Sequence, residues 1–228
     1  IIMQAAVIAF DVSPSGGMVA GLPAQMGYGA GCKIVNLLMT ILMGLGTAVL
    51  SFTSQNLGAG NYKRIKKGLA TSLWIGLGMW AFIVIVGLSL TVGGAYQYLF
   101  LSASKVNGES LRYGNTYLYV SIPCMGILMI LFIVRNLLQG LQKPLWPFLS
   151  GVGELLARSL ICLFLPALFN GGPINSEAST LAFAVVSSAD PAAWVFNVLI
   201  SIFPMFYYLK KFSKLEKSNN KAKEISHD

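Results

Sequence analysis

The sequence predicts an all-α membrane protein, a polytopic helix bundle, and three observations carry that prediction. Hydrophobic residues fill 55% of the 228 positions and charged residues only 11%, with a mean hydropathy of +0.69. That balance leaves too little polar side chain to coat a water-soluble globule. Several uncharged runs exceed the roughly 20 residues that cross a bilayer core as a helix. Finally, the basic residues are bunched, with ten of the sixteen Lys and Arg in Lys63 to Lys67 and in the tail from Lys210 to Lys223. Such clusters are juxtamembrane anchors on a lipid bilayer, so the formal charge of +8 does not point to a nucleic-acid partner.

The chain opens on Ile1 to Phe10, apolar but too short to span, with neither an initiator methionine nor the basic first region of a secretory signal. This segment (about 1–10) reads as the last half of a helix, and the sequence as a fragment of a longer protein. The run Asp11-Val12-Ser13-Pro14-Ser15-Gly16-Gly17 is dense in turn residues and predicts a surface loop, with Pro23 a helix start.

The first full span (about 24–59) contains an uncharged run from Ile34 to Ala59, longer at about 1.5 Å per residue than the roughly 30 Å of a bilayer core. Asn36, Thr40, Met43, Thr47, Ser51 and Ser54 follow one another at spacings of three or four and share one face. Lipid offers a polar stripe no partner, so it must face protein or a watery cavity; interhelical packing and cavity lining both fit. Ser54-Gln55-Asn56-Leu57-Gly58-Ala59-Gly60-Asn61 closes the helix, and four cations follow within five positions.

A second span (about 66–92) repeats small residues at Gly68, Ser72 and Gly76, a pattern that admits close helix approach, while Trp74 and Trp80 suit packing or the interface. A polar connection with Lys105, Asn107, Gly108, Glu109 and Arg112 leads into the third span (about 113–141), with Pro123 as a kink and Gly140 and Pro144 as a stop. The fourth span (about 147–169) carries opposite charges in its interior. Ser150, Glu154 and Arg158 stand four apart, so carboxylate and guanidinium stack on one side and can pair. An intramembrane charge costs about 3 kcal/mol on insertion scales, so this pair should face the bundle. It is either a structural ion pair or a latch that breaks in one state. For the last span (about 181–209), Asp190-Pro191 reads as an N-cap with proline first in the helix, the alternative being a kinked helix from Leu181. The basic tail (210–228) reads as disordered, and His227, the sole histidine, receives no catalytic role.

Alternation places eleven Lys and Arg on the side of Lys63 and of the tail, against Lys33, Lys105 and Arg112 on the other. The positive-inside rule makes the richer side cytoplasmic. One half-helix and five full spans satisfy this topology. Cys32, Cys124 and Cys162 show no CxxC spacing, so no disulfide framework and no metal site is expected. No span carries a nucleophile with its base, an HExxH or a carboxylate dyad, so no catalytic residue is assigned and the protein reads as no enzyme.

The helix end Ser54 to Asn61 with its basic run resembles that of the multidrug and toxic compound extrusion (MATE) family of cation-coupled antiporters. So do Gly29-Ala30-Gly31-Cys32-Lys33-Ile34, Arg135 to Gly140 with Gln142-Lys143-Pro144, Gly153-Glu154-Leu155-Leu156-Ala157-Arg158, and Ala189-Asp190-Pro191-Ala192-Ala193-Trp194. Gln55, Gly58 and Gly60 carry the first of these blocks, and the blocks occur in the family's order.

The resemblance implies the second lobe of a two-lobe, twelve-helix transporter, entered within its first helix, with an N-terminal lobe as partner. Such proteins exchange Na+ or H+ for cationic or amphipathic drugs and metabolites by alternating access. The loops Asp11 to Gln25 and Asn170 to Ala189 are longer than the family's usual ones. Some members coordinate their cation through carboxylates on the first and fourth helices of this lobe. Ile1 to Phe10 and Tyr113 to Gln142 contain none, which puts the coupling site in the first lobe and leaves no bound cofactor to expect.

The expected function is therefore multidrug-type antiport in the plasma membrane of a microbe, with the tail in the cytoplasm. Gln4, Asn36, Thr40 and Met43 are the candidate cavity contacts, since a donor and acceptor pair beside a flexible thioether orients ligands of several shapes. Glu154 and Arg158 are the candidate charge pair. The rivals are a lipid-linked oligosaccharide or lipid flippase of the wider superfamily, whose cavity would be more cationic, and a non-transporting membrane scaffold.

Overall fold

The structure is a computed structural model that describes residues 2–102 and 106–225, with side chains through residue 214. Lys105, His227 and the side chains of Lys217, Lys221 and Lys223 lie outside the described residues.

The described chain is helical throughout, relieved only by loops and one isolated bridge between Val12 and Met18. In order come α1 (Ile2–Ile8), a 3-10 turn (Ala9–Asp11), α2 (Pro23–Gly58), α3 (Tyr62–Val92), α4 (Ala95–Phe100), α5 (Gly108–Gly140), α6 (Leu145–Asn170), α7 (Thr180–Ser187) and α8 (Ala189–Ile225). Five helical stretches are long and apolar enough to cross a membrane, the fifth being Thr180–Lys214, where α7 and α8 follow each other about a bend at Ser188. This is the polytopic all-α bundle that the composition predicts. Trp74, Phe82, Ile85, Leu163, Leu168 and Phe203 stand exposed on its outside, side chains that suit hydrocarbon and not water.

The central strut is α5, packed on α2, α3 and α8. Its pairing with α2 is the closest, because glycine faces glycine: a methyl group on Gly114 would fall 2.8 Å from the carbonyl oxygen of Gly27. Small residues let two backbones touch, which is how helices gain dispersion energy when lipid removes the hydrophobic drive. The small-residue pattern of α3 does the same work, with Gly68 against Phe52 and Gly76 against Met129. Pro123 stays within α5, and its carbonyl accepts a 3.0 Å hydrogen bond from the indole of Trp80.

Local reading misplaces three features. Asp11 is no turn residue: it is fully buried, and its carboxylate takes the amides of Ala24 at 2.8 Å and Gln25 at 2.9 Å, capping α2 from across the loop. Asp190 is not an N-cap, since it lies in the first turn of α8 after Ala189 and behind α7, whose own cap is Ser179. The kinked alternative from Leu181 is nearer what is seen. The tail is no coil: no Gly or Pro follows Pro204, so α8 continues through its Lys- and Glu-bearing segment to Ile225. At this basic end Tyr62 stacks on Phe212 with ring centres 5.1 Å apart, and Lys143 lies 5.4 Å over Tyr208, binding the starts of α3 and α6 to α8.

Candidate functional site

Between them α1, α2, α5, α6 and α8 line a half-open hollow of about 860 Å³. Much of its wall is apolar or thioether, from Met3, Val35, Met39, Leu128 and Phe132. Polar chemistry is concentrated on one side, where α6 meets α8.

Near the middle of α6, Glu154 and Arg158 project one turn apart, and Arg158 Nη2 donates to Glu154 Oε1 at 2.9 Å. The intrahelical pair that the spacing predicts is thus present. It does not stand alone: Nε of Arg158 lies 2.8 Å from Asp190 Oδ1 on α8. That N–H is not aimed at a partner, so the contact is an ion pair and not a hydrogen bond. The other oxygen of Glu154 accepts a 2.6 Å hydrogen bond from Asn197 Nδ2 of α8 and lies 3.7 Å from Arg135 Nη1 of α5. Two carboxylates and two guanidinium groups therefore form one neutral chain across three helices. Each side chain is 17 to 30% exposed, which leaves them partly wetted by the hollow and not sealed in apolar packing.

The same hollow is lined by Tyr28, Cys32 and Tyr117, with the two tyrosine rings edge to face at 4.9 Å, and by Trp194 one turn beyond Asp190. A flat or apolar group entering the hollow would find aromatic surface; a charged one would find either sign of partner at the α6–α8 seam.

Of the residues singled out from sequence, Asn36 and Met43 line the hollow together with Glu154 and Arg158. Gln4 and Thr40 are exposed and are not part of its wall. Thr40 instead donates to the carbonyl of Asn36 at 3.0 Å, as Thr47 and Ser54 donate one turn back to Met43 and Leu50. Gln55, Gly58 and Gly60 lie far from the hollow, at the hairpin between α2 and α3, where Gly60 takes a left-handed φ of 69°. Sequence reading missed Arg135, Asp190 and Asn197. The available signal was the cost of an ionisable side chain at membrane depth, which applies to Asp190 as it does to Glu154.

The MatE family model matches residues 17–164 of this chain. A protein of Shewanella oneidensis named FAD transporter is similar to it, 28% identical over 160 residues, a match that covers 69% of this chain and 32% of the relative. The chain thus spans about a third of that relative's length. No solved structure matches it.

Proposed function

The chain belongs to the MatE family of membrane transporters, and from that premise we propose that it is part of a Na+- or H+-coupled antiporter that exports drugs or amphipathic metabolites by alternating access. The observation that carries this reading is the hollow itself: a partly wetted chain of four charges set among aromatic and thioether side chains inside an otherwise apolar bundle. A scaffold has no use for such a void, since each charge held at membrane depth costs stability that packing alone would spare. The flippase alternative asks for surplus positive charge, whereas both arginines here are matched by carboxylates.

In this mechanism the four-charge chain is the gate of the lobe. Arg158 ties α6 to α8 through Asp190, and Glu154 ties α6 to α8 through Asn197 and to α5 through Arg135. An ion pair that is partly wetted is remade at small net cost, so the seam between α6 and α8 can open when a substrate or ion competes for one of its members. Because one guanidinium already fills the space between the two carboxylates, we place the coupling cation in the preceding lobe. The protein would sit in the plasma membrane with Lys63 to Lys67 and the tail towards the cytoplasm.

The relative's name favours a second, narrower substrate: a flavin dinucleotide carries a flat aromatic ring system, and Tyr28, Tyr117 and Trp194 offer aromatic surface in the wall of the hollow. Full-length protein in proteoliposomes, driven by a Na+ or a pH gradient and offered a cationic dye or FAD, tests both. Gradient-driven movement of the dye supports the first reading and of FAD the second; no gradient-driven movement of either overturns both. Unchanged transport after Asn36→Ala with Met43→Ala would remove the cavity contacts of α2.

A further inference from the structure

Away from the hollow, α2 and α3 leave between them a shallow groove of about 370 Å³ on the outer surface. Its floor and sides are Leu45, Ala48, Val49 and Phe52 from α2, and Gly68, Thr71, Ser72 and Ile75 from α3. The Ser72 hydroxyl is turned back onto the carbonyl of Gly68 at 2.8 Å, which leaves the lining apolar. Its mouth is different. Arg64 and Lys67 close the end towards the hairpin, both exposed, with the guanidinium of Arg64 6.0 Å above the ring of Phe52.

Length and charge together identify an occupant. From Arg64 to Ile75 the groove follows α3 for eleven residues, about 16 Å, which is roughly half the thickness of a bilayer core, the depth of one leaflet. A cationic mouth at headgroup level above an apolar slot one leaflet deep matches a phospholipid with a net negative headgroup. The neighbouring surface agrees: Trp74 and Ile85, on the same helix, are exposed as lipid-facing side chains are. Among the described residues every ion pair lies in the central hollow, and none engages Arg64 or Lys67. We propose that this groove is a binding site for one anionic glycerophospholipid, its phosphate held by Arg64 and Lys67 and one acyl chain seated between α2 and α3. The site is independent of the transport reading and would hold in any membrane protein with this surface.

Diffuse attraction of anionic lipid to a basic end is the alternative to defeat, and α3 supplies its own control. Lys63 and Lys66 sit on the same turn and carry the same charge, but they do not line the groove. The experiment is native mass spectrometry of the full-length protein released from mixed micelles of phosphatidylglycerol and phosphatidylcholine, counting retained lipid. The wild type should retain one phosphatidylglycerol in preference to phosphatidylcholine by roughly thirtyfold, which is what two cations near the headgroup supply at about 1 kcal/mol each. Arg64→Gln with Lys67→Gln should bring the two lipids close to parity, and Lys63→Gln with Lys66→Gln should leave the preference in place. Ala48→Phe, which fills the slot and leaves every charge untouched, should also abolish retention. The proposal is overturned if both double variants lose the preference equally, if the wild type retains both lipids alike or neither, or if soluble glycerophosphoglycerol displaces the lipid completely.

Discussion

Two helix seams cross this bundle, and they are built on opposite principles. Between α2 and α5 the contact is backbone on backbone, with Gly27 and Gly114 meeting, Gly140 against the Leu50 carbonyl and Thr53, and no charged group at any of these points. Between α6 and α8 the contact is made by long polar side chains: Arg158 to Asp190, and Glu154 to Asn197. Dispersion between close backbones falls off steeply with separation, so the first seam has one arrangement. Charged groups at the rim of a wet hollow exchange partners at little net cost, so the second can have more than one. A transporter needs both, a rigid strut and a seam that parts.

The largest effect should come from spoiling the first seam. In Gly27→Leu the new side chain would enter the backbone of α5 at Ser110, and α2 must withdraw along with everything packed on it. We expect a loss of about 3 kcal/mol, read as a collapse of monodisperse protein in detergent and a lower thermal midpoint. A midpoint within error of the wild type would show that α2 and α5 are not locked.

Breaking the second seam should cost less and reach function sooner. Arg158→Gln strands Asp190 and leaves Glu154 to Arg135 and Asn197, and with both carboxylates partly wetted the penalty should be about 2 kcal/mol, below that of a sealed pair. Transport should fall further than stability does. A double-mutant cycle of Glu154→Gln and Arg158→Gln that shows no coupling in either expression or transport would reject the gate.

A smaller effect is expected at the entrance to α2, where Asp11→Ala removes the carboxylate that takes the amides of Ala24 and Gln25. The cost should be about 1 kcal/mol, and Asp11→Asn, which keeps one acceptor, should recover part of it, measured as thermal midpoints side by side. If alanine and asparagine behave alike, the cap contributes nothing.

These same residues show what a sequence can disclose. Each span was legible because an uncharged run of membrane length has few other uses, and the Glu154–Arg158 pair because a spacing of four on a helix is itself a geometric statement. Asp190 and Asp11 escape for one reason: local grammar assigns an Asp beside proline to a cap and an Asp among Ser, Pro and Gly to a turn. Their partners are Arg158, 32 positions away, and the amide of Ala24, 13 positions away. Arg135 gives no signal of its own, because a cation near a helix end looks like an interfacial anchor until the neighbouring helices are in place. Pairings set by tertiary packing leave no periodic trace.

The least disturbance is expected from the hydroxyls of α2, and it separates a structural stripe from a functional one. Thr40, Thr47 and Ser54 are exposed and satisfied by their own helix, each donating one turn back, so they hold neither seam together. Thr40→Ala with Thr47→Ala should therefore change stability by no more than about 0.5 kcal/mol. Asn36, on the same face, lines the hollow, so Asn36→Ala should be equally mild in stability and yet raise the KM for the transported compound with kcat held. A fall in thermal midpoint in the threonine variant would mean that the stripe packs against protein. A KM unmoved by Asn36→Ala would take the hollow's α2 wall out of the transport path and leave the α6–α8 seam as the whole of the site.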